Sequence, residues 1–167
     1  VGGDGHDAYT VDNIGDLVSE TGADIHLGGN DRIYASISYT LGANLENLFL
    51  TGSAVLTGIG NALANYLEGN GFTNYLSGEL GADTMSGGDG SDTYYVDNLG
   101  DVVMESNADS VSGGVDTVVS TVSLTLGANL EYILLVGSAG ITGVGNAAAN
   151  YIEGNLAANF LAGQAGA

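Results

Sequence analysis

Two stretches of this chain, GGDGHDAYTVDN from Gly2 to Asn13 and GGDGSDTYYVDN from Gly87 to Asn98, set aspartates among glycines at the same spacing. A glycine-rich turn exposes backbone carbonyls, and aspartate adds negative charge. The chemistry open to such a turn is that of oxygen ligands around a cation. The rest of the composition points the same way. The chain of 167 residues has 20 acidic side chains, and Arg32 is the one Lys or Arg among them. A net charge of −19 opposes a compact state, and internal ion pairs cannot offset it. A bound cation can.

Several function classes fall away on the same grounds. Neutralising nucleic-acid phosphates requires Lys and Arg, and so does docking on anionic lipid. Disorder is opposed by a hydrophobic fraction of 44%, rich in Leu, Val and Ile. No apolar run approaches the ~18 residues of a membrane span. There is no signal-peptide pattern, and both ends read as cut from something longer. There is no cysteine, and His6 and His26 stand at no metal or nucleophile spacing, so a zinc site is improbable. Both histidines read as surface residues. No G-x-S-x-G, H-E-x-x-H or phosphate-binding loop occurs, and the chain is not expected to be an enzyme.

The elements that position these turns come from repetition. Sliding the chain by about 85 residues aligns Gly2 with Gly87, and roughly 46 of 81 aligned pairs are identical. Two long units follow, residues 1–85 and 86–167, expected to form one continuous solenoid. Within each lies a shorter period. From Gly60 the chain reads GNALANYLE, GNGFTNYLS, GELGADTMS, GGDGSDTYY. Glycine opens each line, and the sixth place holds Asn65, Asn74, Asp83 and Asp92. The eighth holds Leu67, Leu76, Met85 and Tyr94, which should point inward. Glycine is expected to provide positive φ in each turn, and a short strand should follow. Nine residues cannot bury their apolar side chain alone, so neighbouring coils must stack. Helix is disfavoured by the glycine spacing. DTVVSTVSLTL from Asp116 to Leu126 and YILLVG from Tyr132 to Gly137 read as further strands.

GGDGSDTYY and GGDGHDAYT resemble the nonapeptide G-G-x-G-x-D-x-U-x of RTX, or hemolysin-type, calcium-binding proteins. The resemblance extends over both long units. It implies an all-β, right-handed parallel β-roll or β-helix with two nonads per coil, and Ca2+ between stacked turns. The ligands it implies are Asp92, Asp83 and Asp7, with the turns Gly87, Gly88, Asp89, Gly90 and Gly2, Gly3, Asp4, Gly5. Asp89 and Asp4 are expected to offer carbonyls rather than carboxylates. The chemistry fits: calcium takes six to eight oxygens, whereas Mg2+ demands a tighter octahedron.

Stacking about 18 residues apart would set Gly87 over Gly69 and Gly78 over Gly60. Asn74 and Asn65 then face Asp92 and Asp83, so each pair would carry one carboxylate. The Gly2 turn would lack its upstream neighbour. Asn65, Asn74, Asn150 and Asn159 read as stacked asparagine ladders. Tyr66, Tyr75, Tyr151 and Phe160 read as one aromatic row. Asp97, Asp101 and Glu105, with Asp12, Asp16 and Glu20, read as solvated acids at a turn between strands.

The resulting expectation is a calcium-binding extracellular or cell-surface module of structural or adhesive type. Self-association by end-to-end stacking is expected, and nucleic acid, membrane insertion and a small-molecule substrate are not. The alternative is an accessory export and folding domain of a secreted enzyme or toxin.

Overall fold

The structure is a computed structural model and describes residues 1–21, 29–108 and 111–166. His26 lies outside the described residues. The strands are β1 (Ala8–Val11), β2 (Arg32–Ala35), β3 (Tyr39–Thr40), β4 (Asn47–Leu50), β5 (Leu56–Ile59), β6 (Tyr66–Glu68), β7 (Asn74–Ser77) and β8 (Thr84–Ser86). They continue as β9 (Thr93–Val96), β10 (Val102–Met104), β11 (Thr117–Ser120), β12 (Leu124–Thr125), β13 (Tyr132–Leu135), β14 (Thr142–Val144), β15 (Tyr151–Glu153) and β16 (Phe160–Ala162). Among the described residues there is no helix.

Strands alternate between faces as the chain winds. One sheet runs β1-β2-β4-β6-β8-β10, a second β15-β13-β11-β9-β7-β5-β3 and a third β12-β14-β16. All the pairings are parallel, as in β4 with β6 and β7 with β9. Strands of two to four residues are too short to persist alone, so each is held by the coils on either side. The chain is a β-solenoid.

The eighth-place side chains point inward. Tyr9, Ile33, Leu48, Leu67 and Met85 align across the first sheet. Leu76, Tyr94, Val118 and Ile133 align across the second. Leu67, Leu76, Met85 and Tyr94 are fully buried. Leu41 and Leu45, with Leu126 and Leu130, close a further wall. They come from the repeated LGANLE segment, where Asn44 and Asn129 turn the chain at φ 63° and 61°.

The expected aromatic row is not one row. Tyr66 lies on β6 and Tyr75 on β7, which belong to different sheets. Consecutive nonads occupy opposite faces, so a residue recurring every nine positions alternates sides. The rings that do meet are Tyr34 with Phe49 at 5.1 Å, Phe49 with Tyr66 at 5.7 Å and Tyr132 with Tyr151 at 5.4 Å.

The coils are unequal. Asp7 meets Asp31 24 positions on, Asp31 meets Glu46 after 15, Glu46 meets Asn65 after 19, and Asn65 meets Asp83 after 18. An 85-residue unit therefore contains four such coils with about half a coil left over. Equivalent residues of the two units thus fall on different sheets: Tyr9 on the first, Tyr94 on the second.

Candidate metal centre

The residue just before each strand begins forms a column along the edge of its sheet. On the first sheet the column is Asp7, Asp31, Glu46, Asn65, Asp83 and Asp101. On the second it is Asp92, Asp116, Glu131 and Asn150, continued by Asn74, the first residue of β7. In each column most members are acidic, one per coil.

Beyond Asp7, which opens its column, one oxygen of each carboxylate receives the backbone N–H of its neighbour in the preceding coil. Asp7 N donates to Asp31 Oδ1 at 2.8 Å, and Asp31 N to Glu46 Oε2 at 2.9 Å. Asn65 N donates to Asp83 Oδ1 at 2.7 Å, and Asp83 N to Asp101 Oδ1 at 3.0 Å. On the second sheet Asn74 N donates to Asp92 Oδ1 at 2.7 Å, Asp92 N to Asp116 Oδ1 at 2.8 Å and Asp116 N to Glu131 Oε2 at 2.9 Å.

The other oxygen distinguishes the candidate ligands. Among the described residues, the buried side-chain atoms without a hydrogen-bond partner are Asp7 Oδ2, Asp83 Oδ2, Asp92 Oδ2 and Glu105 Oε2. Three of the four belong to the sixth-place aspartates singled out by sequence. A buried charged oxygen without a donor is costly unless a positive charge meets it. Asp83 and Asp92 are 0% and 1% exposed. Burial pushes the Asp83 carboxyl up to about 6; the Asn65 N–H offsets part of this, and the charges of Asp101 and Asp97 raise it further. Burial pushes Asp92 up to about 7, and Asp116 and Glu105 add to it. Asp116 also rises to about 7, from burial and then from Glu105 and Glu131.

The asparagines solve the same problem differently, and they do not stack on one another. Asn65 Oδ1 accepts Asn61 N within its own turn at 2.7 Å, and its Nδ2 donates to the preceding coil at Leu45 O, 3.0 Å. Asn150 repeats this with Asn146 N at 2.8 Å and Leu130 O at 2.9 Å. Asn74 Oδ1 accepts Asn70 N, and Asn159 Nδ2 donates to Ile141 O. The amide N–H2 points at carbonyls where an aspartate has only another acceptor. Asparagine turns are thereby satisfied without help.

The first-place glycine is required for space, not for positive φ. A side chain at Gly87 would collide with Asp92 Oδ2 and Tyr94 Oη, and one at Gly78 with Asp83 Oδ2. Positive φ falls at the second and fourth places instead, as in Gly88 at 94° and Gly90 at 113°. Gly3 and Gly5 match them at 108° and 116°. Gly87→Ala should therefore cost roughly 2–4 kcal/mol by collision. Gly88→Ala, with room but a left-handed backbone, should cost about 1–2 kcal/mol. Urea unfolding in saturating calcium measures both, and equal costs would contradict this division of roles.

The other expected site residues are placed as follows. Asp89 is exposed and its Oδ1 accepts Asn107 Nδ2 at 2.6 Å. Asp4 is exposed. His6 is exposed, and its Nδ1 accepts Asn30 N at 2.7 Å. Gly69 N donates to Ser86 O and Gly60 N to Ser77 O, so the Gly87 and Gly78 turns stack on Gly69 and Gly60. Yet Asp92 also has Asp116 on its other side, and Asp7 has Asp31. The expected pairs do carry one carboxylate each, Asp92 on Asn74 and Asp83 on Asn65, and the neighbours on the other side, Asp116 and Asp101, add a second; Asp31 neighbours Asp7 on the downstream side.

The acids at the strand-connecting turn are not all solvated. Asp101 Oδ2 holds that turn by accepting Asp97 N and Asn98 N, as Asp16 Oδ2 does for Asp12 and Asn13. Glu105, in contrast, is buried and accepts Gly87 N, Gly88 N and the Tyr94 hydroxyl. Glu20 likewise accepts Gly2 N, Gly3 N and the Tyr9 hydroxyl. The Tyr9 bond, before any other cause, holds the Glu20 carboxyl below the ordinary range.

Asp31 and Asp116 escaped sequence reasoning, and Glu20 and Glu105 are buried rather than the solvated acids that the sequence suggests. A signal for the first two exists: DRIY and DTVV match DAYT, DTMS and DTYY, an aspartate opening a short strand. Among the described residues, no three His, Cys, Asp or Glu side chains converge as a metal cluster. A cation here would draw on one or two carboxylates and on backbone carbonyls, a donor set that suits calcium.

No curated protein and no solved structure matches the chain. A family model does, the RTX calcium-binding nonapeptide repeat, in four copies over residues 59–94 and 142–167. The first match contains Asp83 and Asp92, and neither contains Asp7, Asp31 or Asp116. Residues 59–94 and 142–167 thus match the RTX calcium-binding nonapeptide repeat, and the described residues among them are wound into a parallel β-solenoid.

Proposed function

We propose that this chain is a calcium-stabilised structural or adhesive module that works outside the cell or on its surface. Asp7, Asp83 and Asp92 would supply the ligating carboxylates, with Asp31 and Asp116 beside two of them. The turns Gly2, Gly3, Asp4, Gly5 and Gly87, Gly88, Asp89, Gly90 would supply carbonyls. Bound calcium would neutralise carboxylates that otherwise repel, coupling metal to folding.

One observation carries this reading. Among the described residues, the buried oxygens left without a partner are on these three aspartates and Glu105. Such repeats are typical of secreted proteins. Few charged ligands per site also suit the roughly 10⁻⁴–10⁻³ M calcium affinities of extracellular modules. No helix among the described residues is long and apolar enough to cross a membrane.

Calcium titration followed by circular dichroism and thermal melting tests it. Millimolar calcium should raise the midpoint above its value in chelator, since a site held at tenfold excess over its Kd gains about 1.4 kcal/mol of stability. Magnesium should do far less. Identical melts in calcium and in chelator would contradict the proposal.

A further inference from the structure

Glu105 stands where the nonapeptide pattern has no place for it. It lies 18 positions beyond Gly87, so in the stack it sits over the first-place glycine of the preceding coil. Its Oε1 accepts three donors: Gly87 N at 3.2 Å, Gly88 N at 3.0 Å and Tyr94 Oη at 2.6 Å. Those bonds fix the carboxylate and leave Oε2 buried with no partner, in a residue 8% exposed. Asp92 Oδ2, also buried and without a partner, borders the same glycine, where a side chain would collide with it and with Tyr94 Oη.

The first unit builds this cradle again, on the other sheet. Asp7 Oδ2, Tyr9 Oη and Glu20 Oε1 all crowd the space where a side chain at Gly2 would begin. Gly2 N donates to Glu20 Oε1 at 2.9 Å and Gly3 N to Oε2 at 3.1 Å, so both Glu20 oxygens have a partner and the partnerless oxygen here is Asp7 Oδ2. Two units with different neighbours thus bring one aspartate and one glutamate to the same glycine. In each, a tyrosine hydroxyl orients the glutamate. Asp92 and Glu105 are both buried, and two carboxylates facing one gap need a positive charge there; in the first unit Asp7 is half-buried and the Val1 ammonium acts on Glu20.

We propose that Glu105 is a ligand of the cation held by Asp92, and Glu20 of the cation held by Asp7. Each long unit then carries one divalent-cation site with two carboxylates, in which glutamate takes over from a turn carbonyl. Tyr94 and Tyr9 are positioning residues. The inference rests on the calcium reading above, and a site of higher charge should be the tighter one in each unit.

Calorimetric calcium titration of the whole chain tests it, with Glu105→Gln, Glu20→Gln and Asp92→Asn. Glutamine keeps the Oε1 acceptor for Gly87, Gly88 and Tyr94 while removing the charge. Glu105→Gln should weaken one class of sites at least about tenfold or abolish it. Glu20→Gln should do the same independently, which keeps the proposal testable if one variant does not fold. Terbium in place of calcium gives a second readout: tyrosine-sensitised emission from the tight sites should fall in Tyr94→Phe. Glutamine variants that bind like the parent, while Asp92→Asn loses an ion, would overturn the role of the glutamates and leave the calcium reading standing. A parent chain that binds no calcium would overturn both.

Discussion

In excess chelator, the melting temperature of this chain is expected to fall by roughly 10–30 °C between about pH 5 and pH 8. The cause is the set of buried column carboxylates. Asp83 is raised to about 6, and Asp92 and Asp116 to about 7, chiefly by burial. An acid that binds its proton more tightly when folded stabilises the fold fully below its unfolded pKa. That contribution is lost as pH rises through the folded value. The window therefore opens near pH 4 and closes near pH 8. A tenfold change in proton affinity is about 1.4 kcal/mol, so three such groups together cost on the order of 5–10 kcal/mol. That is comparable to the whole stability of a domain. Glu20 has the opposite sign, since its carboxyl is lowered by the Tyr9 bond. Its contribution is present above its ordinary range and lost in acid, so the chelated chain should be most stable near pH 4–5.5.

Calcium should cancel this slope, because a cation favours the ionised carboxylates and releases their protons. General repulsion among 20 acidic residues acts in the same direction as the buried groups. Salt separates the two causes. It screens exposed charges within about 10 Å at 0.1 M but reaches buried ones far less. A pH step that survives moderate salt and vanishes in calcium supports the buried carboxylates as its source. A chelated chain whose midpoint is flat or rises from pH 5 to 8 would contradict it.

Sequence made the strands around the nonads legible because there two periods of the pattern make one coil. Gly60, Gly69, Gly78 and Gly87 mark that register, and Leu67, Leu76, Met85 and Tyr94 are buried as it requires. Asp116 and Asp31 were not legible from the spacing. They enter the columns through coils of 24 and 15 residues, and only strand pairing in space shows which turns stack. Glu105 was hidden for a related reason. It follows the short strand β10 and precedes a polar segment, and nothing local shows that the Gly87 amide and Tyr94 hydroxyl close over it. The role of first-place glycine was likewise not a matter of backbone preference. It follows from where the sixth side chain folds back, as at Gly78 and Asp83.

The asparagine and aspartate turns give the second large effect. Asp83→Asn is expected to raise stability in chelator and to remove part of the gain from calcium, whereas Asn65→Asp should do the reverse. These two residues are neighbours in one column, joined by Asn65 N to Asp83 Oδ1 at 2.7 Å. An asparagine at 83 keeps that acceptor and replaces the partnerless Oδ2 with an N–H2 donor. It removes a buried charge whose carboxyl is raised to about 6, worth on the order of 2–3 kcal/mol near neutral pH. An aspartate at 65 loses the donor to Leu45 O and sets a second carboxylate beside Asp83. The cost without cation should be about 3–5 kcal/mol, since it leaves a buried charge unpaired. Calcium should recover most of it, because the new pair resembles the Asp92 and Asp116 arrangement on the other sheet. Melting in chelator and in millimolar calcium decides this. If both variants lose stability in chelator, the amide is not standing in for the cation. If they move in opposite directions, sixth-place asparagine marks the coils that fold without calcium, and aspartate marks those that wait for it.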